Sequence, residues 1–202
     1  VTGRSPEKGG VGDSGILTAL GIWQGIQACV EYLSGSNDLS RVTVGVIGAG
    51  KVGGRLIGHL IESGGAKVIA MDPVASVRTD LSATYPDLVF VDSFAEMLNF
   101  GPTIISPNAM GGFITPELVP QLTAVGVSLV CGGANNQLAT PDVGDLLAAA
   151  GILYAPDFMV NCGGVIQVAE ELVGANVERA REQVMRVYPT TLTVLESAAQ
   201  AG

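Results

Sequence analysis

Apolar positions along this chain switch repeatedly between two periods. From Ser14 to Leu33 they recur at helical spacing (Leu17, Leu20, Ile22, Ile26, Val30, Leu33), which predicts an N-terminal helix over about 14–33 with Ser14 as its N-cap. Gly35 to Ser40 reads as a turn. Short apolar, β-branched runs then predict strands at Val42–Ile47, Lys67–Met71, Leu88–Val91, Thr103–Ser106, Val127–Cys131 and Ile152–Ala155. Helical patterns fall between most of them, at Lys51–Ser63, Val74–Thr84, Phe94–Asn99, Thr115–Thr123 and Thr140–Ala150, with Pro116 and Pro141 near helix starts, where proline fits. Beyond Asp157 the pattern is helical, Met159–Val173 and then Asn176–Ser197. Alternation of strand and helix implies right-handed crossovers, so the expected fold is α/β, a Rossmann-type doubly wound parallel sheet with helices on both faces. No repeat, linker or low-complexity tract divides the chain. One domain over 1–202 is expected, with C-terminal helices over about 159–197.

The first strand–helix junction carries chemistry. The run Val42, Val44, Val46, Ile47 leads into Gly48-Ala49-Gly50-Lys51-Val52-Gly53, a complete G-x-G-x-x-G. Leu56, Ile57, Leu60 and Ile61 follow at helical spacing, and a second apolar run, Val68 to Met71, ends on Asp72. In this order the glycines serve a tight turn, close approach of backbone to a pyrophosphate, and close helix–strand packing. The helix N-terminus offers free N–H groups and a positive dipole end to the phosphates. Asp72 lies about 20 residues on, where an acid can hydrogen-bond both hydroxyls of an adenine ribose. The context predicts a nicotinamide dinucleotide site, with NAD preferred because Asp72 repels a 2′-phosphate. A cap before Pro73 is the bland alternative for Asp72.

Composition narrows the partners. In 202 residues, nearly half apolar and 14% charged with 28 glycines, there is enough material for a buried parallel sheet with tight turns. A formal charge of −9 argues against nucleic acid and anionic membrane. No apolar run approaches the ~20 residues of a bilayer span and no signal peptide opens the chain. Cys29, Cys131 and Cys162 are widely spaced without metal-ligand spacing, so a reduced cytoplasmic protein without a metal site is expected. His59, the only histidine, falls within the helix after the glycine loop and reads as a structural residue.

Ligands of open α/β sheets bind outside the carboxyl ends of the strands. There the chain carries Ser106-Pro107-Asn108-Ala109-Met110-Gly111-Gly112, Cys131-Gly132-Gly133-Ala134-Asn135-Asn136-Gln137-Leu138, and Tyr154-Ala155-Pro156-Asp157-Phe158 leading to Asn161-Cys162-Gly163-Gly164-Val165. Small residues and uncharged amides at three successive strand ends suit a flat, neutral ring and its carboxamide. These residues resemble the NAD-binding domain of the glutamate/leucine/phenylalanine/valine dehydrogenase family, most closely its leucine, valine and phenylalanine branch. The resemblance runs from Thr2-Gly3-Arg4 and Gly9-Gly10-Val11-Gly12-Asp13 through Thr18-Ala19-Leu20-Gly21-Ile22 to the helix near Tyr188. It implies that Thr18 and one of Asn135 and Asn136 bind the nicotinamide carboxamide, that Pro107, Asn108, Ala109 and Ala134 form the ring-binding wall, and that Asn161 faces the substrate's polar end. Val165 and Val168, one helical turn apart, would line the pocket for the substrate side chain. Departures from the family pattern are Asp13-Ser14-Gly15-Ile16, Asn108 and Cys162.

The implied reaction is oxidative deamination of a leucine- or valine-like L-amino acid to its 2-oxo acid and ammonia, in a homo-oligomer. It requires a general base near neutral pH, commonly a desolvated lysine, and a cation for the substrate carboxylate. The family carries these lysines and a catalytic aspartate on an N-terminal domain. Lys8, Lys51 and Lys67 are the lysines of this chain, and each reads as solvated. The chain begins at Val1 without a methionine and stops just after a helical pattern, so the catalytic domain is expected outside these residues and the chain alone inactive. A stand-alone NAD-binding regulatory module, or the same chemistry on an aromatic amino acid, remain open alternatives.

Overall fold

The computed structural model describes residue 7 and residues 10–201. Thr2, Gly3, Arg4, Lys8 and Gly9 therefore lie outside the described residues. The strands are β1 (Thr43–Ile47), β2 (Lys67–Met71), β3 (Val89–Phe90), β4 (Ile104–Pro107), β5 (Leu129–Cys131) and β6 (Leu153–Ala155). All pair in parallel in the order β3-β2-β1-β4-β5-β6, with Ile47 beside Met71 on one side and Pro107 on the other. The chain winds outward through β2 and β3, then returns to the far side of β1. The sheet thus reverses direction between β1 and β4, where such sheets bind ligands.

Strand parity sorts the core into two layers. Val44, Val46, Val68, Ala70, Ile104 and Leu129 face one way, against Ile22 and Ile26 of α1 (Gly15–Ser34) and Leu56 and Ile57 of α2 (Lys51–Gly58). Ile47, Ile69, Ile105 and Val130 face the other, against Met97 of α4 (Phe94–Leu98), Leu122 of α5 (Val119–Ala124) and Leu147 of α6 (Val143–Ala149). Successive side chains of a strand point to opposite faces, so a strand covered on both must be apolar throughout. Between α2 and α4 in sequence, α3 (Ala75–Thr84) joins β2 to β3. Helix α1 is apolar nearly all round because its other side, Leu17 and Leu20, packs on α9 (Val177–Met185) and α10 (Val187–Ala201) through Ala180, Val184 and Val187.

Several local expectations change. Ser14 has helical backbone angles (φ −62°, ψ −19°) and makes no side-chain cap. Asp13 takes that role, its Oδ1 accepting the Gly15 N–H at 2.9 Å. The helix after the glycine loop reaches Ser63, but its last turn, His59–Ser63, widens into a π-helix that puts Leu60 fully in the core. Pro116 and Pro141 sit in the turns ahead of α5 and α6 rather than inside their first turns. The two long C-terminal helices are each divided. Asp157–Val160 (α7) is followed by a fresh start at Gly163–Glu170 (α8), and α9 stops at Met185 before α10. Pro189 accounts for the second break: it has no N–H to give the Met185 carbonyl, and its ring crowds that group. Contact with α1 accounts for the first. A Cβ at Gly163 would stand 2.0 Å from the Leu17 carbonyl oxygen, and one at Gly21 would stand 2.7 Å from that of Val160.

This contact sets a stability test. Gly163→Ala forces α8 off α1 and should cost about 1–3 kcal/mol, the usual range for overpacking. Gly144→Ala, in α6, meets only Leu138 Cδ1 at 3.6 Å and should be neutral or gain up to about 1 kcal/mol of helix propensity. Urea midpoints of the two variants check the contrast.

Candidate functional site

The carboxyl end of β1 turns into α2 within three residues, and each glycine of the loop has a distinct local cause. Gly48 has φ +89°, a backbone that L side chains rarely adopt, and its N–H donates to the Met71 carbonyl at 2.8 Å. Gly53 lies against the turn, a Cβ there falling 1.9 Å from the Gly48 carbonyl oxygen. Gly50 is different: nothing stands within 4 Å of where its Cβ would be. The backbone at the start of α2 is therefore open to a ligand at Gly50, as a pyrophosphate cradle requires. Lys51, the first residue of α2, is exposed, and Val52 is half-buried. A cleft of about 800 Å³ borders Ala49, Gly50 and Lys51 and continues between α2 and α3 past Leu81 and Tyr85. Tyr85 closes its far end, and the Glu62 carboxylate it donates to at 2.6 Å pushes its phenol up to about 12.

Asp72 directly follows β2 and is buried beside this loop. Its Oδ2 accepts the Ala49 N–H and its Oδ1 the Val74 N–H, each at 2.8 Å. It thus caps the turn before α3 and stands at the glycine loop. A carboxylate has about four lone-pair sites, so two backbone bonds leave capacity for ribose hydroxyls. Arg78, the arginine nearest in sequence, is engaged elsewhere: it donates to Asp92 at 2.5 Å and its guanidinium lies 5.4 Å from the Phe90 ring centre.

Across the reversal of the sheet, the ends of β4, β5 and β6 are cross-tied through backbone and amides. The Ala134 N–H donates to the Pro107 carbonyl at 3.0 Å. Asn108 Oδ1 accepts the Gly133 N–H at 2.9 Å, while its Nδ2 donates to the carbonyl and hydroxyl of the buried Ser106. Asn108 thus spends its amide on holding two strand ends together. Ala109 is exposed beside Gly48, its Cβ 2.7 Å from where a Gly48 Cβ would stand. Gln137, also buried, donates to the Gly132 carbonyl at 2.8 Å.

Asn161 Nδ2 donates to Asn135 Oδ1 at 2.8 Å and to the Gly133 carbonyl at 3.2 Å. Asn135 and Asn161 are therefore one unit. Asn136 plays another part: with φ +51° it reverses the chain, and its carbonyl accepts the Gly112 N–H at 2.7 Å. Thr18 reaches the same region from α1. Its hydroxyl donates to the Ser14 carbonyl at 2.9 Å, and a Cβ at Gly164 would fall 2.6 Å from its Oγ1. The structure thus gathers Thr18, Asn135 and Asn161 around the start of α8. Val165 is 73% exposed on α8 and Val168 is half-buried on the same helix. Burial pushes the thiol of Cys162, half-buried next to Asn161, above its ordinary range.

Two features escaped the sequence reading. Asp13 joins α1 to α2 through a 2.9 Å ion pair with Arg55, and its carboxyl lies below the usual range because of the Gly15 N–H first and Arg55 after it. Asp157 accepts the Asn136 N–H at 3.2 Å. An acid at a strand-to-helix step is a visible signal for Asp157, but its partner is 21 residues away. His59 stacks on Trp23 at 5.4 Å, away from the amides, and burial and then Arg181 lower its pKa. Lys67, at the opposite end of β2 from Asp72, lies with Nζ 5.7 Å from the Phe100 ring centre. No described helix is long and apolar enough to cross a membrane. Among the described residues no cluster of His, Cys, Asp and Glu could hold a metal ion.

Known proteins match this arrangement. The sequence signature of the glutamate/leucine/phenylalanine/valine dehydrogenases covers residues 74–188. A valine dehydrogenase of Streptomyces albus is 45% identical over 204 aligned residues, spanning 100% of this chain and 54% of the relative. A leucine dehydrogenase of Geobacillus stearothermophilus is 38% identical over 93% of this chain and 50% of its own length. The crystal structure of L-tryptophan dehydrogenase from Nostoc punctiforme superposes with a TM-score of 0.85 at 33% identity, over 93% of this chain and 55% of that one. The chain spans about half the length of the curated relatives it matches. With the signature over more than half of its residues and relatives aligned along all of it, the chain belongs to the glutamate/leucine/phenylalanine/valine dehydrogenase family.

Proposed function

We propose that this chain is the NAD-binding part of an amino-acid dehydrogenase that oxidatively deaminates a branched aliphatic L-amino acid. The observation that carries the reading is the pairing, across the β1/β4 reversal, of an open glycine loop beside buried Asp72 with the Asn135–Asn161 amide unit. When bound, NAD would accept the hydride from the substrate Cα. The N–H groups at the start of α2, at Lys51, Val52 and Gly53, would hold the pyrophosphate, and Asp72 the adenine ribose. Asn135 Nδ2 and Asn161 Oδ1 make no bond among the described residues, which would leave one donor and one acceptor of the amide unit for a carboxamide. Of the two asparagines, Asn135 suits that role because Asn136 commits its backbone to the turn. Thr18 would close the ring site from α1, with Pro107, Ala109 and Ala134 as its apolar wall and Asn108 holding that wall in place. Asn161 would also meet the polar end of the substrate, and Val165 and Val168 its side chain.

The valine and leucine dehydrogenases among its relatives support an aliphatic substrate. Likeness to L-tryptophan dehydrogenase favours an aromatic one as the second reading. Proton transfer is assigned to groups outside the described residues, within which the lysines are Lys51, exposed at the start of α2, and Lys67, beside the Phe100 ring.

Cofactor choice is tested by titrating NAD and NADP. NAD should bind at least about tenfold more tightly, because like charges placed together cost several kcal/mol, and Asp72→Ser should narrow the gap. Tighter binding of NADP would overturn the assignment of Asp72. Incubated with NAD and several amino acids, the 202-residue chain should bind cofactor by calorimetry yet produce no NADH. Steady NADH formation would show that the base lies within it. In the full-length enzyme, leucine and valine should be turned over about tenfold or more better than phenylalanine and tryptophan, the scale set by pocket bulk. Val165→Ala and Val168→Ala should reduce that ratio, and a wild-type preference for an aromatic amino acid would mean the pocket is shaped elsewhere.

A further inference from the structure

Asn135 and Asn161 belong to different segments, one after β5 and one after α7, and a 2.8 Å hydrogen bond joins their side chains. That bond fixes their distance from each other but not their shared placement over the sheet. A third residue reaches both segments. Asp157, the first residue of α7, accepts the Asn136 N–H on its carboxylate Oδ2 at 3.2 Å and the Asn161 N–H on its own carbonyl at 2.7 Å. The first bond falls on a strained point, since Asn136 is one of two described residues other than glycine with positive φ. Its left-handed turn aims the neighbouring Asn135, and its carbonyl is held from the other side by Gly112. Without an acceptor at Asp157, the Asn136 N–H loses its partner and the turn is tied on one side only.

We propose that Asp157 is a positioning residue for nicotinamide recognition: it locks the left-handed turn at Asn136 to the start of α7, so that Asn135 and Asn161 present their free donor and acceptor in one fixed frame. The proposal rests on reading the amide unit as the carboxamide site. Asp157 touches no part of the ligand. Its carboxylate acts through Asn136, while the bond to Asn161 is a backbone one that any residue there would make, so its removal should impair the ring end of the dinucleotide and spare the adenine end, which is held by the glycine loop and Asp72.

ADP-ribose, which has the adenosine and both phosphates but no nicotinamide, separates the two ends. Calorimetric titration of the chain with NAD and with ADP-ribose gives a ratio of affinities for each variant. Asp157→Ala should weaken NAD about tenfold, the equivalent of about 1.4 kcal/mol and at the lower edge of what a hydrogen bond to a charged group contributes. ADP-ribose binding should stay within about twofold. Asp157→Asn keeps an acceptor oxygen of the same reach and should restore most of the loss, leaving about a threefold deficit at most. Should Asp157→Ala fail to fold by circular dichroism, Asp157→Asn carries the test alone, with a smaller drop for NAD and none for ADP-ribose. Parallel weakening of both ligands, or no change in either, would overturn the positioning role. If the unaltered chain binds ADP-ribose as tightly as NAD, the amide unit does not recognise nicotinamide, and the reading beneath the proposal fails with it. If it binds neither, the assignment of the glycine loop fails instead.

Discussion

Helix α2 meets the end of β1 at a distance that only glycine permits. A Cβ at position 53 would lie 1.9 Å from the Gly48 carbonyl oxygen, far inside any real contact. Because α2 starts so close to the strand, its open N-terminal backbone at Gly50 stands at the reversal of the sheet and not above it. Asp72, ending the neighbouring strand, can then reach the Ala49 N–H at 2.8 Å. The Asp13–Arg55 pair hangs the beginning of α1 on the same helix. Thr18, further along α1, is placed against Gly164 of α8.

The opposite wall is held by uncharged polar groups. Ser106, Asn108, Gln137 and Asn161 bond to one another or to backbone carbonyls and N–H groups at the ends of β4, β5 and α7. Hydrogen bonds in a partly buried setting stiffen a structure when they are satisfied and are costly when they are not. A wall of this kind keeps small residues such as Ala134 and Gly133 at a fixed depth without introducing charge. The acids and cations of the region lie around it: Asp157 ties the backbone from below, Asp72 stands at the glycine loop, and Lys67 is at the far end of the sheet.

Helix α8 shows how one element serves both core and site. Gly163 presses on the Leu17 carbonyl, and Gly164 leaves room for the Thr18 hydroxyl. Glu170 at its end is gripped by the Arg179 guanidinium and by Gln183, which fastens α8 to α9. With its inner side anchored in this way, Val165 on α8 and Leu172 in the turn after it are left 73% and 75% exposed.

Much of this was legible in the amino-acid order because its causes are local or periodic. Strand parity, the G-x-G-x-x-G turn, the acid closing β2 and the alternation of strand with helix each depend on near neighbours, and β2 falls where its apolar run ends. The amide-bearing motifs were legible too, since small and amide residues follow three apolar runs in succession. What the sequence left open depended on contacts between distant segments. Ser14 looks like a cap until Asp13, held by Arg55, is seen to do the work. The helical pattern from Met159 to Val173 looks continuous until α1 forces a new start at Gly163. Asn135 and Asn136 are equivalent on paper; a left-handed backbone at one and a partner 26 residues away at the other tell them apart. Periodicity records which side of an element is buried, whereas the close approach of two backbones, and a hydrogen bond between amides of distant segments, exist only once the chain has folded.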